Sequence, residues 1–232
     1  YAHALITAGF VDAHVHYPQL PIIGAGGKPL LDWLSGYTFP AEERYADADY
    51  ARSVVRLYLQ QNLRNGITTA AVFCTVHRAS ADVFFEEAHA LGLRMIAGKV
   101  LMDRHAPAAL LDTAQRGYDD SKALIDRWHG RDRLAYAITP RFAVTSTPAQ
   151  LDAAGALRRE HPDAYVQSHV SENRAEIELV ARTFPEAASY LDVYARHGLT
   201  GPRTIYGHGV HLDDADFRFL HDTGTALAHC PT

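Results

Sequence analysis

The stretch Gly9-Phe10-Val11-Asp12-Ala13-His14-Val15-His16 ends an apolar run with two histidines one residue apart. In a β-strand, residues two apart project from the same face, so this pair aims two imidazoles at one point. A neutral imidazole nitrogen is a good ligand for zinc or iron. Fourteen histidines in 232 residues would place about one such pair by chance, so the pair acquires meaning only through its partners.

Three further histidines, His169, His208 and His229, close short apolar runs of their own. The other nine (His3, His77, His89, His105, His129, His161, His197, His211 and His221) fall on helical patterns, loops or the terminus, where surface and capping roles suffice. Glu172 follows His169 by three residues, past the strand end. From there a carboxylate can swing over a metal without binding it, and move a proton from a metal-activated water to a leaving group. The same position also suits a helix N-terminus, where the dipole favours a carboxylate, and both roles are compatible. His208, between Gly207 and Gly209, is read either as a fourth ligand or as a neutral imidazole bonded to the attacking water.

These residues need elements that bring them together. Apolar β-type runs at 4–16, 67–75, 93–102, 134–139, 164–169, 204–208 and 225–229 alternate with helical patterns. The helical patterns cover 47–65, 80–91, 108–129, 147–160, 174–197 and 213–222. Gly66, Gly92, Gly130, Gly198 and Gly224 stand where helices stop, and Thr147-Pro148 reads as an N-cap with proline in the first turn. Strands alternating with helices imply βαβ units and a parallel sheet, and wholly apolar strands imply one covered on both faces. Seven strands without a linker fit a TIM-type (β/α)8 barrel lacking one strand, in a single unit spanning 1–232. In such a barrel, strand-ending histidines share the catalytic rim. A doubly wound open sheet is the alternative, but no Gly-rich phosphate loop follows any strand. Residues 17–44 break the rhythm with four prolines and four glycines among Leu30, Leu31, Trp33, Leu34, Tyr37 and Phe39. This insertion reads as an ordered active-site loop with a short helix near 30–34.

Composition narrows the partners. A formal charge of −5 argues against nucleic acid, whose phosphates want a basic face. No apolar run reaches the roughly 20 residues of a membrane span, and Cys74 and Cys230 make no disulfide framework. A reduced, cytoplasmic setting and a small-molecule substrate fit these features.

The segments Phe10-Val-Asp-Ala-His14-Val-His16, His169-Val-Ser-Glu172, Gly207-His208-Gly209 and His229-Cys230-Pro231-Thr232 occur in the order of the amidohydrolase superfamily, which the chain resembles. Within it, the chain is similar to the guanine deaminase branch. That likeness rests on His16-Tyr-Pro-Gln19, Leu31-Asp-Trp-Leu34, Tyr37-Thr-Phe-Pro40, Gly98-Lys-Val100, Met102-Asp-Arg104 and Thr139-Pro-Arg141-Phe142. The resemblance implies a zinc hydrolase, one metal per subunit with iron as an option, that converts guanine to xanthine and ammonia. It implies His14, His16 and His169 as metal ligands, Glu172 and His208 as catalytic groups, and Gln19, Arg141 and Phe142 as guanine-binding residues. A homodimer is implied as well. Alternatives are another purine, pterin or triazine aminohydrolase, or an inactive fragment. The pattern departs from the family in two respects: the sequence ends at Thr232 before an eighth strand and its aspartate ligand, and the usual small β-sandwich is missing apart from a remnant expected at 1–6. The expectation is a piece of a longer protein whose isolated form binds zinc weakly and turns over poorly.

Overall fold

The computed structural model describes residues 3–230. Its strands are β1 (Phe10–His16), β2 (Ile67–Phe73), β3 (Arg94–Gly98), β4 (Val100–Leu101), β5 (Ala135–Pro140), β6 (Tyr165–Val170), β7 (Thr204–His208) and β8 (Ala226–Ala228). They form one parallel sheet in the order β1-β2-β3-β5-β6-β7-β8, with β4 pairing to β5. Chain order equals spatial order, as βαβ repetition in one rotational sense demands. The sheet curls into a nearly closed barrel wall with helices outside it. Helices α3 (Ala48–Arg64), α4 (Arg78–Ala90), α5 (Ala114–Trp128) and α6 (Pro148–Glu160) cover its first half. Helices α7 (Arg174–Thr183), α8 (Tyr190–Arg196) and α9 (Asp214–Thr223) cover the rest. Among the described residues, β1 and β8 each lack a strand on their outer edge.

The sequence pattern locates most of these elements, and the departures have local causes. The first strand begins at Phe10 rather than residue 4, because β2 offers a ladder only from Ile67 onward; Leu5 and Ile6 are exposed. The expected remnant at 1–6 therefore has no strand in residues 3–6, and Tyr1 and Ala2 lie outside the described residues, as do Pro231 and Thr232. The run 93–102 divides at Lys99 into β3 and β4. Gly98 lies so close to β5 that a Cβ there would stand 1.8 Å from the Ala137 carbonyl oxygen. The helix expected over 174–197 is two helices, since Pro185 forces Phe184 out of helical geometry, at φ −127°. The helix expected from 108 starts at Ala114, capped by Thr113. The Thr147 cap is as expected, its hydroxyl accepting from the Gln150 amide at 3.3 Å.

The largest departure is the insertion. Residues 17–44 are mostly helical rather than a loop: a 3-10 turn at Tyr17–Ile22, then α1 (Leu30–Trp33), a π-helical turn at Leu34–Thr38 and α2 (Phe39–Glu43). Pro29 and Pro40, which read as breakers, stand instead at helix starts, where proline lacks no needed donor. Two buried tyrosines tie the insertion down. Tyr17 Oη donates to the Ser80 carbonyl at 3.0 Å, and Tyr45 Oη to the Pro18 carbonyl at 3.0 Å. Among the described residues, no helix is long and apolar enough to cross a membrane.

Candidate active site

His14 and His16 leave β1 beside a bulge. The register runs Asp12↔Ala70 and then Val15↔Val72, so β1 holds one extra residue there. Bulges of this kind re-aim side chains at active-site rims. The two imidazoles still converge, with ring centroids 5.5 Å apart. His169, from the end of β6, joins them: its Nε2 lies 3.0 Å from Nε2 of His16, and ligand atoms of all three residues fall within 4.8 Å of one another. Phe73, at the end of β2, packs against all three, stacking on His16 at 4.5 Å. The wall behind His14 is Gly207, where a Cβ would stand 2.5 Å from His14 Cε1.

The donor chemistry of this triad suits a divalent metal. Burial, reinforced by charges on His208 and Arg141, pushes His14 down to about 3. Burial likewise holds His16 and His169 well below the ordinary imidazole value, aided by Arg141 beside His16 and by His14 beside His169. All three are therefore neutral at physiological pH, the form that binds metal. His169 Nδ1 lies 2.6 Å from the Arg141 carbonyl, so it donates there and leaves its Nε2 lone pair free, as an outer-sphere partner does for a ligating histidine. Among the described residues, Nδ1 of His16 is buried without a hydrogen-bond partner. Asp12 accepts from the backbone amide of His14 at 3.2 Å.

Glu172 and His208 face this triad from neighbouring strand ends, with His208 Nε2 3.5 Å from Glu172 Oε2. Ser171 and His208 both adopt left-handed backbone, at φ +50° and +72°. Such conformations in residues other than glycine carry strain and concentrate at functional sites. Glu172 stands at the N-terminus of α7, where the dipole favours a carboxylate, while Glu176 closes a capping box with Asn173 and accepts from the Glu172 amide at 3.0 Å. Glu172, one residue before the cap, is left facing the cleft. Burial, with the Glu176 charge added and Arg141 opposing, raises it from 4.5 to about 7. Burial lowers His208 to about 4.

Gln19, Arg141 and Phe142 line the same cleft, as do Trp33 and Leu34 from the insertion. The cleft measures about 2020 Å³, beyond the roughly 300–1,000 Å³ usual for small-ligand pockets, because it runs into the open seam along Phe10 and Val11. Phe142 is buried, its ring 6.3 Å from that of His169. Arg141 is buried too, and it is paired. Both carboxylate oxygens of Glu42, on α2, accept from its Nη1, at 2.9 and 2.7 Å. The pattern of types and spacings gave no reason to single out Glu42 or Phe73, since neither lies in a ligand motif. Only a contact 99 residues apart in sequence reveals Glu42. His229, grouped above with the rim histidines, is exposed at the cleft and belongs to no ligand cluster among the described residues; its neighbour Cys230 instead approaches His14 and His208. Of the remaining histidines, His89 and His197 pair with Asp132 and Asp152, as surface roles require.

Comparison with known proteins agrees with this architecture. The chain is 51% identical, over its full length, to "Guanine deaminase" of Escherichia coli (strain K12), covering 53% of that protein. The solved E. coli guanine deaminase superposes on 97% of the chain with a TM-score of 0.96, the match covering 52% of that structure. A guanine deaminase from C. acetobutylicum, solved with guanine in its active site, is 31% identical with a TM-score of 0.94 over 97% of this chain and 54% of its own. The chain thus spans about half the length of the curated relatives it matches. The profile of the Amidohydrolase family matches residues 5–232, and the chain belongs to that family.

Proposed function

We propose that this chain is the metal-binding and base-reading portion of a guanine aminohydrolase, which hydrolyses guanine to xanthine and ammonia. The observation that carries the reading is convergence: the neutral triad His14, His16 and His169, the Glu172–His208 pair, and Gln19, Arg141 and Phe142 all line one cleft. The triad would hold one zinc, with iron as the alternative. When bound, zinc supplies a Lewis acid that lowers the pKa of water toward 7. Glu172, poised near 7, takes a proton from the attacking water and delivers it to the ring nitrogen next to the reacting carbon. His208, held neutral, accepts a hydrogen bond from that water. The leaving amino group takes the second proton of that water and departs as ammonia. Arg141 donates to the purine carbonyl, the Gln19 amide pairs with ring nitrogens, and Phe142 covers the base. A cytoplasmic homodimer organised as one partial barrel completes the reading, with 17–44 as its active-site insertion.

Steady-state assays across guanine, adenine, a pterin and an amino-triazine test the substrate, with the protein at its native length and zinc content measured in parallel. Guanine should exceed the others in kcat/KM by at least about 100-fold, near 3 kcal/mol. Equal rates on adenine would overturn the assignment of Arg141 and Gln19. The isolated 232-residue chain should bind zinc substoichiometrically. Full occupancy with full turnover would show that no further ligand is needed.

A further inference from the structure

Glu42 is fully buried, lies on the insertion, and spends both carboxylate oxygens on a single nitrogen, Nη1 of Arg141. Among the described residues, Nε and Nη2 of Arg141 donate to no protein acceptor, and Arg141 lines the cleft. Phe39, one turn earlier on the same helix, sits under the guanidinium at 5.5 Å. Helix α2 thus fixes one end of the group and its plane. The Arg141 backbone is held separately: its carbonyl accepts from His169 Nδ1 at 2.6 Å and from Ser168 Oγ at 3.2 Å. Glu42 therefore holds the side chain, whereas the contact to His169 runs through the Arg141 backbone.

A charge argument gives this arrangement a consequence. Arginine offers only donors and stays charged, so an unpaired buried Arg141 would draw an anion into the cleft. Paired with Glu42, it is part of a neutral unit that still presents N–H groups. A neutral unit with free donors favours a neutral ligand bearing a carbonyl. A dioxopurine product loses a ring proton more easily than guanine does, so the same neutrality speeds its departure. We infer that Glu42 is a positioning and specificity-determining residue, which aims the free edge of Arg141 at the base and makes the cleft prefer a neutral oxopurine to an anionic one. The inference rests on the aminohydrolase reading above.

The test compares parent, Glu42→Gln and Glu42→Asp in the zinc-loaded protein at native length, using guanine kinetics and calorimetric binding of the urate monoanion. Glu42→Gln should raise KM for guanine about tenfold or more while kcat moves by less than about threefold, and should tighten urate about tenfold. Zinc content should be unchanged, and Glu42→Asp should restore the parent preference. An unchanged ratio of guanine to urate affinity, or a loss confined to kcat and zinc, overturns the inference. If Glu42→Gln does not fold, the double variant Glu42→Gln/Arg141→Gln serves in its place. It should lose the preference between neutral and anionic base, and retention of that preference overturns the role. A parent that does not turn over guanine overturns the functional reading instead, whereas the urate gain tests Glu42 whatever the substrate.

Discussion

Glu172 is the residue on which acid–base chemistry turns, and its environment dictates a pH dependence. Burial raises it to about 7. The carboxylate that accepts a proton from water exists above that value, so kcat/KM should fall as pH drops through about 7. Glu172→Gln should abolish that limb and lower kcat by about 10²–10⁴. The stability effect has the opposite sign. A carboxyl whose folded pKa is raised contributes stability below its unfolded pKa and loses that contribution as pH rises through the folded one. Glu172→Gln should therefore be more stable than the parent at pH 8, by on the order of 1–3 kcal/mol, and nearly equal to it at pH 4. Thermal unfolding at the two pH values checks this, and a variant destabilised equally at both would contradict it.

The strand ends do the positioning, and β7 makes the point. Gly207 leaves just enough room for the His14 ring, which is further hemmed in by the rings of His16, Phe73, His169 and His208 at centroid distances of 4.7–5.5 Å. Gly207→Ala would place a methyl 2.5 Å from that ring. The ring has nowhere to retreat, so the substitution should cost about 1–3 kcal/mol and weaken zinc at least about tenfold. Gly98→Ala is the control. Its methyl would meet Ala137 and Thr139 of β5 rather than a triad imidazole, so it should lower the melting temperature without changing zinc affinity in the folded fraction. Equal zinc loss in both variants would remove the argument for Gly207.

At the scale of the whole molecule, the unpaired outer edges of β1 and β8 matter most. Phe10 and Val11 are 65% and 66% exposed on a strand whose outer ladder groups meet no partner among the described residues. Such an edge templates pairing with another chain, and lysine there opposes it. The isolated chain should aggregate at micromolar concentration. Val11→Lys should raise the soluble fraction severalfold in sedimentation, and no change would place the aggregating surface elsewhere. The buried Glu42–Arg141 pair belongs to this scale too, since it joins the insertion to the barrel wall. Removing one partner of such a pair leaves a buried charge uncompensated.

Much of this was legible in the sequence. Period-2 spacing placed His14 and His16 on one face, strand–helix alternation set the parallel barrel, and helix-stop glycines marked boundaries; Gly224, at φ +71°, shows why glycine is favoured there. These are local properties, encoded by residues near one another along the chain, as is the helix break that Pro185 imposes. Tertiary structure decided the rest. It turned an apparent loop at 17–44 into helices by giving their apolar faces a wall to cover. It turned Glu172 toward the cleft that the other strand ends line. It also brought Glu42 to Arg141 across 99 residues. A buried charge pair leaves no local signature, because neither residue's neighbours in sequence show that both will leave water together.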